Sequence, residues 1–198
     1  MPAIKKPKPT PDSYRFDVIV DNGFIFLIAF RLFFILTISI LIMGAKMNPI
    51  SKIEIYNAKT GKTEQVAPII KSEAEWKKIL TPEQYEIMRG KGTEPAFGRP
   101  CAIPKSGKGV YQCAACGTDL FAYGKKFESG TGWPSFFDPV SPLNIKLVED
   151  FSYGIHRTEV LCARCGAHLG HVFDDGPPPT SKRYCINTVA LKLSEHSK

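Results

Sequence analysis

Hydrophobic and polar positions divide this 198-residue chain into stretches of different period. Phe24 to Met43 is one apolar block of twenty residues, broken only by Arg31, Thr37 and Ser39. Ile53–Tyr56 and Thr63–Ile70 flank Lys59-Thr60-Gly61-Lys62, which predicts a hairpin inside the otherwise linker-like residues 44–71. Ser72-x-x-Glu75 is a capping box that opens a short helix through Leu80. Thr81-Pro82-Glu83-Gln84 opens a second, with proline at its first position and Gly90 near its end. From Gly109 onward the pattern changes to short strands and turns, with no long helical period. Arg183 to Leu193 alternates throughout, which predicts one strand with Arg183, Cys185, Asn187, Val189, Leu191 and Leu193 on one face.

The apolar block matches a bilayer: twenty helical residues span about 30 Å. Arg31 opposes insertion by roughly 2.5–3.5 kcal/mol at the centre, but many Phe, Leu and Ile at about 0.3–0.6 kcal/mol each outweigh it. It also lies in the first half, where it can snorkel. Residues 24–43 therefore read as a membrane anchor, and the proline-rich residues 1–23 as a disordered polar N-terminus. A cleaved signal peptide fits less well, because Met43-Gly44-Ala45 is a poor cleavage site. Translation from Met47 would instead give a cytoplasmic protein without the block.

The formal charge of +7 is spread along the chain rather than blocked, so no nucleic-acid partner is indicated. The six cysteines say more. Cys113-Ala-Ala-Cys116-Gly117 and Cys162-Ala-Arg-Cys165-Gly166 are one unit repeated, each behind a strand-like run. Together they supply four thiolates, the set a tetrahedral structural zinc requires. A redox CxxC would not need duplicating, and disulfide scaffolds rarely space cysteines as two knuckles. One Zn2+ per chain is the expectation, with no open position for catalysis.

Cys101 and Cys185 remain. On the predicted strand Cys185 has a fixed cation, Arg183, and an amide, Asn187, on its own face, the surroundings of a reactive thiolate. The alternative is an inert core cysteine. Ser129-Gly130-Thr131-Gly132-Trp133-Pro134-Ser135-Phe136-Phe137 packs aromatics into a glycine-rich turn, which on its own reads as a core plug. His168 and His171 lie shortly before the Cys185 strand, either as proton donors near the thiol or as structural histidines.

Taken together, residues 129–136, 168–173 and 183–187 and the paired CxxC units resemble the methionine sulfoxide reductase B family, over about Ser72 to Leu193. The resemblance implies a mainly β fold of two antiparallel sheets, a four-cysteine zinc at one end and the short helices packed outside, over residues 72–198. It implies reduction of the R epimer of methionine sulfoxide in oxidised proteins. Cys185 would be the nucleophile, passing through a sulfenic acid that thioredoxin or a similar dithiol recycles. Trp133 would wall the substrate methyl group, His168 and His171 would polarise or protonate the sulfoxide oxygen, and Arg183 and Asn187 would shape the site. Thr131 stands where many family members carry a resolving cysteine, which leaves Cys101 as a possible resolving thiol or an idle loop cysteine. A zinc-ribbon-like binding module without catalysis is the competing reading; it leaves Cys185 without a task.

Overall fold

A computed structural model describes residues 51–195 except 103, 105 and 106. The expected polar N-terminus at 1–23 and anchor at 24–43 lie outside the described residues. Among those residues no helix is long and apolar enough to cross a membrane.

Local signals place the first elements well. Strands β1 (Ile53–Asn57) and β2 (Lys62–Val66) form the hairpin, with Ile53 opposite Val66. The second strand is shorter than its pattern predicts, because Pro68 cannot donate to a ladder and Ile69 N–H turns away to the Arg164 carbonyl. The hairpin is no loose linker. The buried Asn144 side chain accepts from Tyr56 N–H at 2.8 Å and donates to the Tyr56 and Asp119 carbonyls, while Ala58 N–H donates to the Asp119 carboxylate. Helix α1 (Glu73–Ile79) begins at a reciprocal Ser72/Glu75 capping box, and α2 (Pro82–Met88) at a second one formed by Thr81 and Gln84. Their apolar sides, Trp76, Ile87 and Met88, are buried in the core.

The remaining strands are β3 (Val110–Cys113), β4 (Asp119–Ala122), β5 (Lys126–Phe127), β6 (Ser135–Phe136), β7 (Ile145–Asp150), β8 (Arg157–Cys162), β9 (His168–Phe173), β10 (Arg183–Ile186) and β11 (Leu191–Ser194). They form two antiparallel sheets, one of six strands in the order β5-β6-β10-β9-β8-β7 and one of three in the order β11-β3-β4. Phe121 of the small sheet stacks on Phe136 of the large one at 4.5 Å, and Tyr111 meets Phe136 edge-on at 5.2 Å. These contacts join the two sheets through a fully buried aromatic centre.

One expectation fails. Arg183–Leu193 is two strands in different sheets, separated by a 3₁₀ turn at Thr188–Ala190. The cause is Glu94, whose buried carboxylate accepts the backbone N–H groups of Thr188 and Val189. With those donors taken, the chain leaves the ladder and crosses to the second sheet. Cys185 therefore shares a face with Arg183 but not with Val189, Leu191 and Leu193.

Candidate active site and metal cluster

The two knuckles have the same backbone. Cys113 and Cys162 carbonyls accept the N–H groups of Gly117 and Gly166 at 2.8 and 2.9 Å, both glycines having positive φ. The four sulfurs of Cys113, Cys116, Cys162 and Cys165 lie within 4.8 Å of one another. Cys113 and Cys165 sulfurs are 3.8 Å apart, Cys116 and Cys162 sulfurs 3.5 Å. Metal–sulfur bonds of about 2.3 Å in a tetrahedron separate sulfurs by about 3.8 Å, so these residues fit one such ion. Burial of all or part of each thiol within a shell of backbone bonds suits a structural role.

Cys185 lies in the middle of the large sheet. On one side its strand pairs with β9, which puts Cys185 opposite His171; on the other it pairs with β6, which puts Cys185 opposite Ser135. Residues directly opposite in an antiparallel pair project to the same face. The glycine-rich segment before β6 thus brings Trp133 to the thiol, fixed by its indole N–H donating to the Glu94 carbonyl at 3.0 Å. Cys185, His171, Trp133, Asn187, Phe173, Gly170, Thr93 and Arg157 line one pocket of about 120 Å³. The aromatic turn is divided residue by residue: Phe136 is buried in the core, and Trp133 lines this pocket.

The histidines, three apart, would alternate to opposite faces on a regular strand. A register shift between β8 and β9 prevents this: Val160 pairs with Gly170, and Leu161 with His168. Gly170 permits the irregularity, since a Cβ there would overlap the Cys185 carbonyl oxygen. The rings end 5.5 Å apart, edge to face. Their partners differ. His171 Nε2 meets Asp150 Oδ2 at 2.8 Å, whereas His168 Nδ1 meets Glu159 Oε1 at 2.7 Å. Burial would raise the Glu159 carboxyl, but hydrogen bonds from Lys91 and His168 outweigh it and leave it below its ordinary value. Burial lowers His168 despite Glu159. Neutral His168 therefore donates through Nδ1. It lies outside the Cys185 pocket, in an adjoining cavity with Lys91, Asp150, Arg157, Glu159 and His171.

The surroundings of Cys185 differ from the reactive thiolate expected. Burial raises the thiol above its ordinary value, and the Thr131 hydroxyl and Arg183 guanidinium offset that only in part. Arg183 is committed elsewhere: it forms two 2.8 Å bonds to the Asp175 carboxylate and lies over the Phe173 ring at 4.5 Å. Asn187 is also occupied, accepting from Glu94 N–H and donating to the Leu169 carbonyl, both at 3.0 Å. Thr131 Oγ1 is 4.0 Å from the Cys185 sulfur. Cys101 is a free thiol in a loop, but not an exposed one. It packs half-buried against the core, burial raises it, and it lines a separate cavity that shares Trp133 with the Cys185 pocket. Sequence reasoning missed Glu94, which bonds residues 93 to 95 positions away, and Asp150, Glu159 and Arg157, which meet through the β7–β8 ladder and reach histidines of another strand. The only local hint was the glycine in His168-Leu169-Gly170-His171.

A half-buried thiol facing a histidine, on a β scaffold separate from its cysteine cluster, is the arrangement of a protein that uses a cysteine nucleophile. Residues 80–195 match the SelR domain. Peptide methionine sulfoxide reductase MsrB of Methanosarcina barkeri is 60% identical over 130 residues, covering 65% of this chain and 91% of that protein. The MsrB of Leptospira interrogans is 54% identical over 125 residues, 63% of this chain and 95% of that protein. Mitochondrial methionine-R-sulfoxide reductase B3 of Mus musculus is 51% identical over 126 residues, 64% of this chain and 49% of that protein. The chain belongs to the methionine sulfoxide reductase B family of oxidoreductases.

Proposed function

We propose that this chain reduces the R epimer of methionine sulfoxide in oxidised proteins, with Cys185 as nucleophile. The observation that carries this reading is the in-register pairing of Cys185 with His171 inside a pocket walled by Trp133. A sulfoxide sulfur becomes electrophilic when its oxygen is hydrogen-bonded or protonated, so an acid and a sulfur nucleophile must reach one substrate together. His171 serves the oxygen, Cys185 attacks the sulfur, and Trp133 packs against the methyl group. The thiol and the sulfoxide exchange one oxygen: methionine leaves and Cys185 becomes a sulfenic acid. A second thiol condenses with the sulfenic acid, releasing water and forming a disulfide, and a dithiol such as thioredoxin reduces that disulfide to regenerate Cys185.

Arg183 and Asn187 act on this chemistry from behind. Arg183 moderates the rise of the Cys185 thiol, and Asn187 ties Glu94 to Leu169 beneath the pocket. His168 supports the face on which His171 stands. Zn2+ is the ion that suits Cys113, Cys116, Cys162 and Cys165; with four thiolates around it, its role is to hold the fold. Cys101 is the candidate to capture the sulfenic acid within the chain. The Phe24–Met43 block is the proposed membrane tether, tested by alkaline extraction of membranes from cells expressing the full chain; full release into the soluble fraction would refute it.

Turnover of resolved sulfoxide epimers with dithiothreitol tests the enzymatic reading. Only the R epimer should react, Cys185→Ser should abolish turnover, and His171→Gln should slow it by roughly 10²–10⁴-fold. Equal rates on both epimers, or activity without Cys185, would overturn it.

A further inference from the structure

Asp150 ends β7, on the far side of β8 from β9, yet its carboxylate reaches the histidine that faces the thiol. Oδ2 meets His171 Nε2 at 2.8 Å and also accepts from Arg157 Nη2 at 2.8 Å. Oδ1 accepts the Ser152 N–H at 2.9 Å. Arg157 is itself anchored, donating at 3.1 Å to the Ser152 hydroxyl. Two donors, one from β8 and one from the β7–β8 turn, therefore fix one carboxylate, and that carboxylate fixes one imidazole.

The β7–β8 ladder explains how this group arises. Asp150 pairs with Arg157 at the end of the ladder, and the short turn between them carries Ser152. Asp150, Ser152 and Arg157 form the wall of the cavity that contains both histidines. His168 has a carboxylate too, but Glu159 holds it outside the thiol pocket. Of the three histidine–carboxylate pairs among the described residues, only His171–Asp150 places its ring in the pocket of Cys185.

We propose that Asp150, clamped by Arg157 and Ser152, is the positioning residue for His171, selecting the ring orientation in which one nitrogen faces the carboxylate and the other faces the sulfoxide oxygen. The proposal rests on His171 serving that oxygen. A carboxylate fixes the bonded nitrogen as an N–H, because an ionised carboxylate only accepts. Donation from the other nitrogen then requires a second proton on the ring, and the Asp150 carboxylate stands 2.8 Å away as its counter-charge. Ser152 and His171 contacts hold the Asp150 carboxyl well below the usual carboxylate range, so the charge is present wherever the enzyme works.

Steady-state kinetics of Asp150→Asn on an R-sulfoxide peptide, with dithiothreitol as reductant, test this. The variant keeps the shape but can rotate its amide and lacks the charge. Its kcat should fall roughly 10- to 100-fold, below the full contribution of a general acid, with KM changed less than about twofold. Alkylation of Cys185 by iodoacetamide should keep its rate, which shows an intact pocket. In a His171→Gln background, Asp150→Asn should cost nothing further. Glu149→Gln, one residue away on an exposed carboxylate paired with His156, is the control and should match wild type. Should Asp150→Asn fail to fold, Asp150→Glu keeps the charge but displaces it, and an intermediate kcat loss is expected. Wild-type kcat in the folded variant, or an undiminished loss on top of His171→Gln, would overturn the proposal. Loss of activity in His171→Gln alone, with Asp150→Asn unaffected, would reject Asp150 and spare the role of His171.

Discussion

The carboxylate of Glu94 holds the backbone N–H of Thr188, a residue 94 positions further along the chain, inside the protein. This bond and its neighbour at Val189 set where the Cys185 strand ends. The Glu94 carbonyl meanwhile fixes the Trp133 indole.

Glu94→Ala should destabilise the domain by about 2–4 kcal/mol, because each buried N–H left unpaired costs about 1–3 kcal/mol. Urea unfolding measures it. Glu94→Gln should lose less, keeping one acceptor, and a change below about 0.5 kcal/mol for the alanine variant would contradict this account of the turn.

Metal content and folding should prove inseparable. One zinc per chain is expected, and Cys113→Ser or Cys165→Ser should prevent folding rather than slow turnover. The free energy of ligation at such sites, about 10–16 kcal/mol, is available only to the folded chain. Elemental analysis is decisive: a folded, active preparation without metal is incompatible with this role.

The Cys185 thiol should ionise later than an exposed cysteine, because burial raises it more than Thr131 and Arg183 lower it. Iodoacetamide alkylation should therefore climb at a pH above the ordinary thiol value of about 8.5. The linked stability has a definite sign. The folded protein keeps a proton that the unfolded chain gives up, so this contribution is full below the unfolded pKa and is lost as pH rises through the folded one. Arg183→Leu should move the alkylation curve further up. A midpoint at or below that of a peptide thiol would contradict the burial argument.

Thr131 lies near enough to the thiol to be turned into a partner for it. Its hydroxyl is 4.0 Å from the Cys185 sulfur, and a disulfide needs about 2.05 Å, so a modest loop shift suffices. One equivalent of sulfoxide added to Thr131→Cys should leave a disulfide between the introduced thiol and Cys185, detectable by peptide mapping. In the wild type the same mapping should find Cys101 joined to Cys185, with Cys101→Ser depressing the thioredoxin-driven rate and sparing the dithiothreitol-driven one. Wild-type sulfenic acid with no such disulfide would remove Cys101 from recycling.

Features that depend on a few adjacent residues were legible in the sequence. Both capping boxes, the hairpin turn and the two knuckles each lie within a handful of positions, and all appear in the structure. The alternation at 183–193 was real but misleading, since nothing local announces that Glu94 will take the Thr188 and Val189 donors. His168 and His171 looked equivalent for the same reason. Their separation into an inner and an outer pair depends on a register shift against β8 and on carboxylates from β7 and β8. For Cys185 the sequence left a reactive thiolate and a core cysteine both open, and the half-burial that raises its thiol comes from the packing of the sheet rather than from its neighbours in the chain.

Gly170 limits how this enzyme can be redesigned. Any side chain there would have to push aside the backbone that carries Cys185. The strands bearing the thiol and the histidine are thus a fixed tool head, and neither can be re-aimed without the other. Selection or an engineer seeking a larger or differently shaped sulfoxide has only the rim to work with. That rim is Thr93 and Trp133, which come from loops rather than from the ladder.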